Sequence, residues 1–339
     1  MIGFRVDANE KIATGHLMRC IAIAEACKKQ EKEVLFFLAE DKETQRLKDR
    51  NLPYKVLHSR WDDLESEESL LGEALEQNGI EYLVVDSYQA TTSYLQKLNQ
   101  KVPVLYIDDF EDEIYPVSAV LRYGGWTERQ VYAERYRGTN TAVLAGMQYV
   151  PLRDEFQNQE RSVNKKKSIL ITTGGTDSLN VTGRLLRQLV KKEKFQPFTF
   201  CAVVGSMNVY AEELKEMAEQ DSRIALHYNV RNMSELMGQC ELAVSAAGTT
   251  LYELCAMGIP TVSFAFVDNQ YGFAQKADEN HIMIYAGDAR YNDGMIEEIC
   301  KDLLFYIENP ERRKEYSFSM KQLIDGKGAE RIAMFLCGK

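Results

Sequence analysis

One histidine stands where a proton acceptor would be useful. In EKIATGHLMRC, residues 10–20, His16 follows Thr14 and precedes Arg19 by one helical turn. Thr14 reads as the N-cap of a helix that opens around His16. The positive end of the helix dipole and the neighbouring Arg19 both disfavour imidazolium, leaving a ring able to act as a general base. The competing reading is that His16 only covers a polar helix end. Asp7, closing the preceding run IGFRVD, either orients His16 or pairs with Arg19; both remain open.

Three other stretches carry candidate chemistry. TTGGTDSLN, residues 172–180, puts Gly174 and Gly175 between a strand-like run and an amphipathic one, where backbone N–H groups can approach a phosphate or simply make a tight turn. It lacks the following lysine of a P-loop, which disfavours Walker-type hydrolysis. SAAGTTLYELCAMGIP, residues 245–260, reads as strand end, small-residue turn and short helix. There Thr250 and Glu253 fit a capping box, while Glu253 can equally accept the two hydroxyls of a ribose. In FVDNQYGF, residues 266–273, Asp268, Asn269 and Gln270 can cap a helix or bond sugar hydroxyls. The acidic run from Asp108 to Glu113 reads as a solvated turn and not a metal site, since no histidine accompanies it. His58, His227 and His281 read as structural.

These loops need a scaffold. Runs rich in Val, Ile, Leu and Phe recur between longer amphipathic stretches: IGFRVD, VLFFLA, YLVVDS and VPVLYIDD in the first half, SILITTGG, FTFCAVVG, LAVSAAG and PTVSFAFV in the second. That is the pattern of βα units and parallel sheets. A length of 339 residues favours two such domains. The expected division is residues 1–150, a polar linker at 151–167, and 168–339, the last part including a helical tail after about residue 290. In doubly wound domains ligands meet the loops after the strands, so two domains facing across a cleft would direct their chemistry there.

Composition narrows the partners. With 45% hydrophobic and 27% charged residues the chain is of ordinary globular make-up. A formal net charge of −10 argues against nucleic acid and anionic lipid as partners. Seven scattered cysteines without a CxxC pair read as reduced thiols. Charges at Arg5 and Asp7 interrupt any secretory apolar run, and no stretch approaches a membrane span, so a cytoplasmic protein is expected.

Taken together and in this order, RVDANEKIATGHLMRCIAIA, GMQYVPLRDEF, TTGGTD, SAAGTTLYELCAMGIPTV and DNQ resemble the PseG/SpsG group. These are nucleotide-sugar hydrolases of pseudaminic acid synthesis and spore-coat polysaccharide proteins, in the GT-B superfamily with MurG. The resemblance covers nearly the whole chain. It implies a GT-B fold of two Rossmann-like domains, and hydrolysis of a UDP-linked diacetamido trideoxy sugar by water attack at the anomeric carbon. Inversion, release of UDP and independence of any metal or cofactor are also implied.

Residue by residue, the resemblance makes His16 the general base. It puts Asp7, Arg19, Asp86 and Tyr88 in the sugar pocket, Gly174 and Gly175 near the diphosphate, Thr249 and Thr250 on phosphate, and Glu253 on the ribose. Asn269 and Gln270 would contact sugar or phosphate. Three positions depart from the family pattern, all at the sugar end: Ala13 replaces a glycine in ATGH, Ser87 replaces a histidine in DSY, and LRYGG at 121–125 replaces an asparagine-containing stretch. A different sugar fits these departures, as does transfer to an acceptor by an inverting glycosyltransferase. A non-catalytic nucleotide-sugar binding module and an epimerase are further alternatives.

Overall fold

A computed structural model describes residues 1–12, 14–124, 126, 129–157 and 167–338, with the side chain of residue 269 left aside. The chain forms two compact units, Met1–Asp154 with Gly326–Lys339, and Glu155–Asp325.

The first unit holds a sheet of seven parallel strands: β1 (Ile2–Val6), β2 (Val34–Leu38), β3 (Tyr54–Val56), β4 (Tyr82–Asp86), β5 (Val104–Ile107), β6 (Ala119–Arg122) and β7 (Ala142–Ala145), in the order β3-β2-β1-β4-β5-β6-β7. The second holds six: β8 (Ser168–Thr172), β9 (Thr199–Val204), β10 (Ile224–Tyr228), β11 (Leu242–Ala246), β12 (Thr261–Ala265) and β13 (Ile284–Asp288), also parallel, in the order β10-β9-β8-β11-β12-β13. The continuous apolar runs become central strands buried on both faces, as parallel sheets covered by helices require.

The order reverses between β1 and β4 in the first sheet and between β8 and β11 in the second. At such a reversal the crossover helices leave on opposite faces, so a crevice opens beyond the strand ends. Apart from Asn269 and Gln270, which come after β12, the candidate residues end or follow one of those four strands.

The helix Gly15–Lys29 carries the expected buried stripe of Leu17, Cys20, Ile21 and Ala24, and buries Ala22, Ile23, Ala26 and Cys27 as well. The reason is at the other end of the chain. Helix Gly328–Leu336 packs on it, so residues 326–339 belong to the first unit and not, as expected from sequence order, to the second. Gly328 permits the contact: a Cβ there would come within 2.1 Å of the Val150 carbonyl oxygen. The passage between units lies inside the expected linker at 151–167, most of which is outside the described residues. Among the described residues no helix is long and apolar enough to cross a membrane.

Candidate active site

His16 sits in the first turn of helix Gly15–Lys29, directly after β1, and is buried. Thr14 is the N-cap residue but makes no side-chain capping bond. The ring is oriented instead by the end of β4. His16 Nδ1 lies 2.6 Å from Asp86 Oδ1. Because Asp86 is both the nearer and the anionic partner, Nδ1 is the protonated nitrogen and donates to it; Arg19 Nη2, 3.0 Å from Nδ1, is then a packing neighbour. Nε2 makes no hydrogen bond among the described residues, and is the nitrogen open to chemistry.

Asp86 is in turn clamped. Arg19 Nε donates to its Oδ2 at 2.6 Å and Nη2 to its Oδ1 at 2.5 Å, and the Cys20 thiol reaches Oδ2 at 3.5 Å. The same guanidinium donates to Asp109 at 3.0 and 2.7 Å and to the Tyr123 hydroxyl at 2.8 Å. Burial alone would raise the Asp86 carboxyl, but the charge and hydrogen bonds of Arg19, with His16, outweigh it and hold the group well below the usual carboxylate range. His16, Asp86 and Asp109 also gather ligand atoms within 4.8 Å of one another, as a metal site would. The guanidinium already bonds both carboxylates, so a metal ion would compete with it for the same oxygens.

Asp7 plays neither role left open for it. It accepts from Arg5 Nη1 at 2.5 Å and from the Ala39 amide at 2.8 Å, tying the ends of β1 and β2 together. Arg5, fully buried, is also held by Glu67 at 2.5 and 3.0 Å. Asp7 nonetheless shares a pocket with His16, Ile12, Trp61, Asp86 and Tyr88, of about 250 Å³ counting the part open to solvent. The Tyr88 ring stands edge-on to His16, centroids 4.4 Å apart at 84°. Burial, with Asp109 adding to it, pushes the Tyr88 phenol up to about 12, so it stays a hydrogen-bond donor at neutral pH.

The acidic run is a solvated turn only in part: Asp112 and Glu113 are exposed, whereas its first two residues are built into the fold. Asp108 is buried, capping the amides of Phe110 and Glu111 at 3.0 Å each and accepting from the Tyr132 hydroxyl at 2.7 Å, while Asp109 anchors Arg19. Asp109, which sequence places at a strand end but assigns to the acidic turn, and Tyr123, which it does not single out, both bond Arg19 in the site. The available signal was the address of Asp109, at the end of the strand beside β4. Of the family departures, Ser87 lines the His16 pocket; Ala13 lies outside the described residues, as does Gly125 of LRYGG.

In the second unit, Gly174 and Gly175 follow β8 and Thr249 and Thr250 follow β11, at the reversal of strand order. Gly174 adopts φ +83°, open to glycine at little cost. A Cβ on Gly205, after β9, would lie 2.3 Å from the Gly175 carbonyl oxygen, so a third glycine, absent from the sequence reading, lets two loops touch. The helix after this loop, Val181–Leu189, is internally capped. Asp177 accepts from the amides of Val181 at 2.8 Å and Thr182 at 3.0 Å, and Asn180 from Gly183 at 3.2 Å. That terminus is therefore not the free anion site its sequence allows. Helix Thr250–Met257 differs: its N-cap is Thr249, which makes no side-chain cap bond, so the Thr250–Glu253 capping box does not form. The Thr249 and Thr250 amides make no hydrogen bond among the described residues. Glu253 lies one turn into that helix. After β12, Gln270 Oε1 accepts from the Phe266 amide at 2.9 Å and Asp268 pairs with Arg290 at 2.7 Å; the Asn269 side chain lies outside the described residues.

No protein-family model matches the chain. It is 24% identical over 351 residues to the spore coat polysaccharide biosynthesis protein SpsG of Bacillus subtilis, covering 99% of this chain and 97% of that one. It is 24% identical over 273 residues to the uncharacterized protein MJ1062 of Methanocaldococcus jannaschii, covering 77% of this chain and about half, 54%, of that one. A third relative, from Helicobacter pylori, is named pseudaminic acid cytidylyltransferase and UDP-2,4-diacetamido-2,4,6-trideoxy-beta-L-altropyranose hydrolase. There the identity is 24% over 199 residues, 57% of this chain and 35% of that one. Among solved structures, MurG of Acinetobacter baumannii superposes with a TM-score of 0.69 at 15% identity over 100% of this chain and 99% of that one. Anabaena HepE, solved with UDP-glucose, superposes at 0.61 and 14% identity over 100% of both chains. The chain is thus similar in sequence to SpsG end to end and carries the GT-B fold of MurG.

Proposed function

We propose that this chain hydrolyses a UDP-linked deoxy amino sugar of the 2,4-diacetamido-2,4,6-trideoxy type, within the synthesis of a nonulosonic acid or a surface polysaccharide. His16 Nε2 takes a proton from water as the water oxygen attacks the anomeric carbon. The bond from that carbon to the diphosphate oxygen breaks, and UDP leaves with the electron pair, inverting the configuration. Asp86, bonded at Nδ1, fixes the tautomer that leaves Nε2 free and offsets the charge the ring acquires. The unbonded amides of Thr249 and Thr250 serve the diphosphate together with the Gly174–Gly175 loop, and Glu253 the ribose. Oriented N–H dipoles stabilise a departing phosphate without a metal.

The observation that carries the reading is the 2.6 Å bond from His16 Nδ1 to a buried, arginine-clamped carboxylate beside a small pocket. An inverting transferase would use the same base on a sugar hydroxyl instead of water; what favours it is a second pocket behind Tyr88. For either reaction His16→Asn should fold, retain UDP binding in calorimetry, and lose turnover by roughly 10²- to 10⁴-fold. Turnover within a few-fold of wild type would remove His16 from the mechanism.

A further inference from the structure

Helix Gly15–Lys29, which carries His16 in its first turn, buries a cysteine near its far end. Cys27 is fully buried, and the side chain beside it is a second cysteine. Cys337, half-buried, is the C-cap of helix Gly328–Leu336, which packs on helix Gly15–Lys29. The two thiols hydrogen-bond side chain to side chain. Other contacts bring the same two points together. The Cys27 carbonyl accepts from the Lys32 amide at 3.1 Å, and Lys32 Nζ pairs with Glu81 at 3.0 Å. Next to Glu81, Tyr82 stands with its ring 6.1 Å from that of Phe335, two residues before Cys337. A buried cysteine is ordinarily a small apolar filler, but two adjoining thiols can be oxidised as a unit.

We infer that Cys27 and Cys337 are a modification site for a low-molecular-weight disulfide, a dithiol whose oxidised form clamps the chain's last helix to the helix bearing His16. Cys337 reacts first, because it is half-exposed and Cys27 is fully buried. It gives up its proton and attacks one sulfur of the small disulfide, whose S–S bond breaks; the departing thiolate takes the proton. The Cys27 sulfur then attacks that of Cys337 and expels the second small thiolate, which takes the Cys27 proton. Two protein thiols lose two electrons, and one small disulfide becomes two thiols. Burial, with Cys337 adding to it, pushes the Cys27 thiol up, so it keeps its proton until a partner sulfur is in place. The bond joins points near the two ends of the chain. So long a closed loop restricts the unfolded chain strongly, and oxidation therefore holds helix Gly328–Leu336 down. In a reducing compartment both remain thiols and packing alone holds the helix. The pair behaves so whatever reaction the chain carries out.

The test uses the full chain, reduced with dithiothreitol, desalted and incubated with millimolar oxidised glutathione at mildly alkaline pH. Remaining thiols are then alkylated under denaturing conditions and the digest is read by mass spectrometry. A peptide pair joined through Cys27 and Cys337, and lost on renewed reduction, is expected. Cys27→Ser should stop at a glutathione adduct on Cys337, and Cys337→Ser should leave Cys27 unmodified. In the crosslinked form, amide hydrogen exchange in helix Gly328–Leu336 should slow about tenfold or more, with β8 and β11 unchanged. Wild type that keeps both thiols free, that stops at the Cys337 adduct, or that joins Cys337 to a different cysteine overturns the pair. Exchange equal in the two forms overturns the clamp.

Discussion

Asp86 does the work that sequence order suggested for Asp7. Both end strands at the same reversal, and β1 and β4 pair with Val6 opposite Asp86, so the two carboxylates are separated by one residue of register. Sequence identifies strand-end acids near His16 but not which one reaches it, because that depends on a pairing 70 residues away. Arg5, buried beside Asp7, decides the matter by taking that carboxylate for itself. The depressed Asp86 carboxyl has a consequence for stability. A group whose folded value is below its ordinary 3.8 stabilises the fold above that pH, and the contribution is lost as pH falls through the folded value. Wild type should therefore lose stability steeply below about pH 4, and Asp86→Asn should show a flatter acid limb in denaturant titrations. At pH 7 the same variant should cost roughly 3 kcal/mol, because it leaves a mostly buried Arg19 with Asp109 alone. Equal acid limbs would mean Asp86 is not ionised in the way described.

At the scale of elements, all eight apolar runs became strands, and they include the four that bear the site. The strands that escaped notice are β3, β6, β7, β10 and β13, short or lying outside the four central site strands. Runs such as AVLR and AVLA are too brief for a period to show. Loop chemistry was less legible. Small residues after β8 and β11 announced close approach, but not that Asp177 would cap the helix after β8 and leave the helix after β11 open. Gly205 was silent because its reason is another loop. Gly205→Ala must push against the Gly175 carbonyl, and should cost about 1–3 kcal/mol with a measurable loss of UDP affinity. Calorimetry with UDP checks this, and unchanged affinity together with unchanged melting would show that the loops yield freely.

At the scale of the whole molecule, the division into two α/β units followed from length and strand spacing, whereas the return of the chain's last helix to the first unit did not. Amphipathic spacing shows that a helix has a face to bury without naming what it buries it against. Here Ala329, Ile332, Ala333 and Leu336 are buried with helix Gly328–Leu336 packed on helix Gly15–Lys29, the helix that bears His16. Ending the chain at Asp325 should destabilise the first unit by roughly 3–6 kcal/mol from Ile332 and Leu336 alone. Hydrogen exchange should then speed up in helix Gly15–Lys29 while amides of β8 and β11 keep their protection. Uniform acceleration across both units, or none, would contradict the assignment of that helix.

The central claim is that His16 activates water against the anomeric carbon of a UDP-sugar. It is tested most directly by incubating the enzyme with UDP-linked deoxy amino sugars in ¹⁸O-water without an acceptor, reading the masses of sugar and nucleotide. The account predicts one ¹⁸O in the released sugar, none in UDP, and loss of release in His16→Asn. Label in the nucleotide phosphate, or release undiminished in His16→Asn, would contradict it.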